Sequence, residues 1–269
     1  MNWNQIKLVM TDLDDTLLND QKECSTINAQ AIKKLKEAGI KFGIATGRGA
    51  HLIPRFLKQW GIEGYVDYII GSNGAEVYDV HADKMECFHF LSVDTILRIE
   101  EEYRQFPMAI CLYNQHELWT NKSIYEYESR LEAHKLTARY IDYKKDVQKP
   151  YPKILGILPE TLLEEVLRYS KEHPDPHYRV FSSGKTLLEF VHPDLSKSYG
   201  IAYLCKKLNI DMQQVVAFGD ASNDIEMLKD CCGVAMNNAS DEVKSYAQYI
   251  AEDANASGFG NFILKHIVE

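Results

Sequence analysis

A chain of 269 residues, 45% apolar and 26% charged, has the balance of a globular protein and suffices for one large domain or two modest ones. Its net charge of −9 argues against a general nucleic-acid binder, whose phosphate contacts need a basic field, but leaves room for a small anionic substrate held by local cations. No apolar run approaches the roughly 20 residues of a membrane span. "MNWNQIKLVM" carries no leader pattern, so the expected location is the cytoplasm. The six cysteines show no CxxC spacing and read as reduced thiols, and the histidines show no HExxH or clustered ligand spacing, so no zinc site is expected.

In chain order, "IKLVMTD" (6–12) reads as a buried strand. "STINAQAIKKLKEAG" has helical spacing at Ile27, Ala31, Leu35 and Ala38, with Ser25 or Thr26 as cap and Gly39 as stop. "IKFGIAT" (40–46) is a second buried strand, a helix over about 50–60 ends at Gly61, and "VDYIIGSNG" gives a third strand and a turn. Apolar strands alternating with amphipathic helices predict a parallel α/β sheet. From about 82 to 191 the chain is more polar and irregular, with "MAICLYN", "HELWTN", "KILGIL" and "KTLLEFV" as strands and two or three helices among them. That is an α+β pattern inserted into an α/β protein. The tail returns to the first grammar: "KSYGIAYLCKKLNI" a helix, "QVVAFGD" a buried strand, "SNDIEMLKDC" a helix, "GVAM" and "QYIA" short strands.

Polar clusters fall just after the buried strands: Asp12/Asp14, Thr46, and Asp220/Asn223/Asp224. In an open parallel sheet those carboxyl ends meet at one edge, where ligands bind. Carboxylates crowded there repel one another unless a hard cation such as Mg²⁺ joins them, and Asp12 and Asp220 can supply two ligands. Asp12 then stays ionised as a nucleophile, while Asp14, two residues on, can carry a proton. A nucleophile, an acid/base and a metal suit phosphoryl transfer. Donors for a phosphoryl group are available from the Thr46 hydroxyl, the Gly47 backbone, Lys197 at a helix start, and the amides of Leu13 and Asp14. Arg48 can either reach the cleft mouth or pair on the surface. "GRGAHL" lacks the third glycine of a dinucleotide fingerprint. Tyr113, Trp119 and Tyr125 read as packing rather than substrate contacts.

Together these residues resemble the haloacid dehalogenase-like hydrolase superfamily, most closely its Cof-type phosphatases. "DLDDT" is similar to the first motif, DxDx(T/V); Thr46 matches the second, Lys197 the third, and "GDASND" (219–224) the fourth. "SNGA" (72–75) and "AMNNASDEVK" (235–244) extend the resemblance over nearly the whole chain. It implies a Rossmann-like α/β core, residues 1–82 and 192–269, carrying an inserted α+β cap of type IIB, residues 83–191, that sets substrate specificity. It also implies a Mg²⁺-dependent phosphatase acting on a small phosphorylated metabolite, with no obligate protein partner. Sugar phosphates are the leading class, and cofactor phosphates such as those of pyridoxal or flavin nucleotide come second. By the same resemblance Asp12 is nucleophile and metal ligand, and Asp14 is acid/base and gives the metal its carbonyl. Asp220 is the third ligand. Leu13, Thr46, Gly47, Lys197 and Asn223 hold phosphate, and Asp224 orients Lys197 or a metal-bound water. Asp15 and Ser198 depart from the pattern, standing where the family usually has Gly. The rival readings are a phosphomutase and a non-enzymatic sensor that retains the site.

Overall fold

The run "LVMT" forms β1 (Leu8–Thr11), and all four residues are buried. Continuous burial rather than alternation is what a strand covered on both faces requires. The strands that follow are β2 (Lys41–Ala45), β3 (Tyr68–Gly71), β4 (Glu76–Asp79) and β5 (Lys84–Cys87). Next come β6 (Ala109–Asn114), β7 (Glu117–Thr120), β8 (Thr137–Tyr140), β9 (Ile154–Ile157), β10 (Arg179–Gly184) and β11 (Leu187–Val191). β12 (Val215–Gly219), β13 (Cys232–Met236) and β14 (Tyr249–Ala251) complete the set. This computed structural model describes residues 3–123, 131 and 136–268; Tyr125 lies outside them.

The chain divides into two units, Met1–Phe88 with Leu195–Glu269, and His89–Asp194. In the first, eight strands make one sheet in the order β14-β13-β12-β1-β2-β3-β4-β5. Pairing is parallel from β14 through β3 and antiparallel across the β3–β4–β5 hairpins. Helices cover both faces. Thr26–Glu37 and Gly258–His266 pack Ile32, Leu35, Phe259 and Ile263 with Val9 and Ile44 on one side. Lys197–Leu208 and Ile225–Asp230 pack Ile201, Leu204 and Met227 with Leu8 and Met10 on the other. Strand β1 has β2 on one side and β12 on the other, so the order reverses there and opens a crevice at the strand ends.

The first helix starts and stops where the sequence predicts. Ser25 Oγ accepts the Asn28 N–H, and Gly39 ends the helix at φ 72°. Ser196 Oγ accepts the Tyr199 N–H, which starts the next core helix at Lys197. The predicted helix over 50–60 is instead a 3₁₀ turn, Ala50–Leu52, and a short helix, Pro54–Leu57. Pro54 stands at the helix start and has no N–H to donate back to Ala50, so the turn and the helix do not merge into one.

The second unit is α+β: six strands in the order β10-β11-β9-β6-β7-β8, antiparallel except for β7–β8. Helices Val93–Tyr103 and Leu163–Glu172 bury Ile96, Ile99, Tyr103 and Val166 against one face. The other carries a smaller cluster with Ala109, Cys111, Leu118, Leu155 and Leu187. Tyr113 and Trp119 pack at the edges of these clusters. The division expected at 82/83 and 191/192 is observed at 88/89 and 194/195, the first because Lys84–Cys87 pairs with β4 and so belongs to the core sheet. All six cysteines are free thiols. No helix among the described residues is long and apolar enough to cross a membrane.

Candidate active site

Asp12 follows β1 directly, and its N–H still donates to Phe218 O of β12 at 2.9 Å. Its carboxylate is therefore fixed at the sheet edge, and the residue is only 7% exposed. Lys197 Nζ, fully buried, donates to Asp12 Oδ1 at 2.6 Å and to Asp224 Oδ1 at 2.6 Å. The other oxygen of Asp224 accepts the backbone N–H groups of Asp220 and Ala221, each at 3.0 Å. Asp224 is thus a brace that holds the turn after β12 and aims the lysine. Gly219 makes this possible, since a Cβ there would lie 2.5 Å from Asp224 Cβ. Asp220 Oδ1 accepts the Thr16 hydroxyl at 2.6 Å.

Carboxylate oxygens of Asp12, Asp220 and Asp224 lie within 4.8 Å of one another. Burial raises the pKa of Asp12, Lys197 partly opposes it, and Asp224 reinforces it. Burial also raises Asp220, with Asp12 and Asp224 adding to the rise. For Lys197 burial works against the charge, but Asp12 and Asp224 outweigh it and hold the ammonium firmly protonated. One ammonium facing three carboxylates leaves a deficit that a divalent cation can fill.

This crowding has a measurable consequence. A carboxyl raised on folding contributes stability that is complete below its unfolded value and is lost as pH climbs through its folded one. Both Asp12 and Asp220 are raised. The chelated protein should therefore lose thermal stability as pH is raised from about 5 to about 8, and Asp220→Asn should flatten that fall. Thermal unfolding in EDTA across that range checks it; a wild-type curve no steeper than the variant's would contradict it.

Asp14 points elsewhere. Arg48 grips it with two donors, Nε to Oδ2 at 3.0 Å and Nη2 to Oδ1 at 2.7 Å, and Lys22 Nζ lies 3.2 Å from Oδ1. Burial pushes its pKa up, but Arg48 and then Lys22 outweigh burial and bring it below the ordinary carboxylate value. The Arg48 side chain, left open by the sequence, is thus paired inside the site. Asp15 takes φ 59°, a left-handed backbone that glycine adopts freely and aspartate tolerates better than most residues. Asn238 donates to Asp15 O at 2.8 Å, which ties the 235–244 stretch to the first loop.

Thr46 follows β2. Its hydroxyl accepts the Arg48 N–H at 3.1 Å and its carbonyl accepts the Asn73 N–H at 3.2 Å. Gly47 lies between them in sequence, half-buried. Asn223 Nδ2 donates to Asn73 Oδ1 at 3.1 Å, so the loops after β2, β3 and β12 share one network. Ser72, Asn73 and Gly74 all have positive φ. A Cβ on Gly74 would sit 2.0 Å from Ser196 O, so only glycine lets this turn reach the start of the Lys197 helix. Leu13 is fully buried and its carbonyl accepts the Leu18 N–H at 2.9 Å, closing the loop that presents Asp12 and Asp14.

A family model for haloacid dehalogenase-like hydrolases matches residues 9–263. The chain belongs to that family. This hydrolase is 30% identical over 268 residues to "Putative phosphatase M6_Spy0533" of Streptococcus pyogenes serotype M6, covering 98% of this chain and 99% of the relative. It is 28% identical over 264 residues to a 5-amino-6-(5-phospho-D-ribitylamino)uracil phosphatase of Bacillus subtilis, covering 96% of each. A crystal structure of a haloacid dehalogenase-like hydrolase from Bacteroides thetaiotaomicron superimposes with a TM-score of 0.84 at 27% identity, over 97% of this chain and 99% of that one. The hydrolase is accordingly an enzyme of the phosphoric monoester hydrolase type.

One supporting residue of this hydrolase escapes sequence reasoning. Glu76, 7% exposed, accepts the Ala50 N–H at 2.7 Å and the Ser72 hydroxyl at 3.2 Å. It pins the loop after Thr46 to the turn after β3. An acidic residue directly after "SNGA" was the available signal, since a buried carboxylate needs partners.

Proposed function

We propose that this hydrolase is a Mg²⁺-dependent phosphatase of small phosphomonoesters that works through an aspartyl-phosphate on Asp12. The observation that supports it most is the cluster of buried Asp12 and Asp224 with half-buried Asp220, where one ammonium, Lys197, bonds the first two. Carboxylate oxygens are hard donors suited to Mg²⁺. Asp12 and Asp220, with the main-chain carbonyl of Asp14, would hold the ion; Asp224 is already engaged by Lys197 and two N–H groups. When bound, Mg²⁺ neutralises the crowded carboxylates and polarises the phosphoryl oxygens.

In the first step an Asp12 oxygen attacks phosphorus, the bond from phosphorus to the leaving oxygen breaks, and Asp14 supplies that oxygen with a proton. Lys197, the Thr46 hydroxyl, the N–H groups of Leu13 and Gly47, and the Asn223 amide hold the phosphoryl oxygens. In the second step water attacks phosphorus and yields a proton to Asp14. The bond between phosphorus and the Asp12 oxygen opens and phosphate leaves. Arg48 favours the charged carboxylate, the form that the second step needs; a substrate that draws Arg48 away lets Asp14 take up the proton that the first step needs.

The substrate is a sugar phosphate in the leading reading and a cofactor phosphate in the second. The name of the Bacillus subtilis relative places its phosphate on a ribityl chain, a polyol close to both classes. The insert would act as a specificity cap that excludes water and selects the leaving group, while the core handles the phosphoryl group. Such metabolites and six free thiols suit the cytoplasm.

The test is phosphate release by the purified enzyme across a panel of phosphorylated metabolites. Turnover with Mg²⁺, loss on exhaustive EDTA treatment and recovery on adding Mg²⁺ are expected, with Mn²⁺ or Co²⁺ as substitutes and Ca²⁺ ineffective because its looser shell misplaces the nucleophile. Full turnover after chelation overturns the metal assignment. An isomerised product without phosphate release makes the protein a phosphomutase, and binding without turnover makes it a sensor.

A further inference from the structure

The insert itself brings together two imidazoles and a carboxylate that no catalytic step uses. His89 is its first residue, and His192 and Asp194 lie at its last. The rings of His89 and His192 stand 4.7 Å apart between centroids and 32° apart in plane. His192 Nδ1 lies 3.7 Å from Asp194 Oδ2, and donor atoms of all three residues fall within 4.8 Å of one another. The 3.7 Å separation is too long for a hydrogen bond. It is close to the roughly 3.4 Å between two ligands that hold one tetrahedral ion at about 2.1 Å. The Asp194 backbone N–H also lies 3.3 Å from His192 Nδ1, a bond that an ion on that nitrogen would replace.

From this cluster we propose that His89, His192 and Asp194 form a binding site for a borderline divalent transition ion of the Zn²⁺ type, with its remaining positions taken by water. Two neutral imidazoles and one carboxylate are a donor set that Zn²⁺, Ni²⁺ or Co²⁺ favours and Mg²⁺ does not. The neutral form of His192 is already favoured, by burial first and then by His89, with His177 adding like-charge pressure and Asp194 opposing. The His192 side chain is 31% and the Asp194 side chain 69% exposed, so an ion can reach both. His89 stands at φ 48°, a backbone that few residues but glycine, asparagine, aspartate and histidine occupy readily. Of these only histidine and aspartate can both adopt that turn and present a strong ligand. A loaded site would tie residue 89 to residues 192–194, the two points at which the chain enters and leaves the insert. The histidines are far apart in sequence, which is why spacing motifs do not reveal them.

The test uses the full chain and reads binding rather than activity, so it stands apart from the proposed phosphatase reaction. Zn²⁺ is titrated calorimetrically into the Asp220→Asn protein, in which the acidic cluster is weakened, and the imidazole resonances are followed by NMR with isotope-labelled histidine. One equivalent should bind, and the His89 and His192 signals should shift while those of the exposed His51 and the half-buried His266 stay. Removing a ligand by His192→Gln, or by His89→Gly, which keeps the left-handed turn, should weaken binding by more than the roughly 10–100-fold that outer-sphere partners are worth. Visible absorption with Co²⁺ should collapse in parallel. Circular dichroism and metal-free melting equal to the parent exclude misfolding as the cause; if either variant is misfolded, the histidine shifts in the parent decide. Unchanged affinity in both folded variants, or no shift of His89 and His192 on saturation, overturns the proposal.

Discussion

Asp12→Asn should abolish turnover of every substrate, a loss of about 10⁶-fold in kcat, the scale on which removal of a covalent nucleophile is felt. The substitution is close to isosteric. The amide oxygen can still accept from Lys197 Nζ, which now makes its bond to Asp12 Oδ1 at 2.6 Å, and the backbone bond to Phe218 is untouched. The fold and the neighbouring brace of Lys197 with Asp224 should therefore persist. What disappears is the anionic oxygen able to bond to phosphorus. An amide has neither the charge nor the nucleophilicity to replace it, and no other buried carboxylate in the cluster is free to do so. Asp224 is committed to Lys197 and two backbone N–H groups, and Asp220 accepts from Thr16. Acid quenching during turnover should trap a base-labile phosphoenzyme in the wild type and none in Asp12→Asn. Residual kcat within about tenfold of wild type, or a phosphoenzyme that survives the substitution, would move the nucleophile elsewhere.

The elements that position this nucleophile were readable because their signals are local. β1, β2, β3 and β12 are short apolar runs closed by polar residues, and each lies inside its predicted range or within one residue of it. The Lys197 helix carries its own cap in Ser196. The insert was harder. β8 is exposed at all four residues, β10 is mostly half-buried, and neither has the apolar run or clean alternation that marks a strand. The β4–β5 hairpin carries no continuous apolar run, because it sits at the sheet's edge, where one face can stay wet. In the site, strand-end clustering placed Asp12, Asp220, Asp224 and Thr46 at one edge. It could not show that Asp224 braces the turn while the Asp220 side chain accepts from Thr16, nor that Arg48 pairs with Asp14. Those choices depend on loop torsions, such as φ 59° at Asp15 and the three consecutive positive φ values from Ser72 to Gly74, which periodicity does not encode.

Asp14→Ala should separate the two chemical steps. In the first, a sugar hydroxyl leaves as an alkoxide unless it is protonated, so loss of the acid should slow phosphorylation of Asp12 by roughly 10²–10⁴-fold with sugar phosphates. Nitrophenolate leaves without a proton, and the same step with p-nitrophenyl phosphate should slow only mildly. In the second, the attacking water is the same for both substrates, and the loss of its base should be equal. Rapid mixing of the variant with p-nitrophenyl phosphate should then give a burst of nitrophenolate followed by a slow steady rate, provided product release does not limit the native enzyme. Arg48 supplies an internal control. Its two bonds to Asp14 hold the carboxylate ionised, and it has no other hydrogen-bonding side-chain partner among the described residues. Arg48→Gln should let the Asp14 pKa rise, which weakens the base and strengthens the acid. Hydrolysis of the phosphoenzyme should slow at low pH and recover as pH rises through the new value, while the alkoxide-leaving step should be spared or quickened. If Asp14→Ala instead slows the first step equally for sugar phosphates and p-nitrophenyl phosphate, Asp14 is not the general acid, and its pairing with Arg48 serves to shape the loop that presents Asp12.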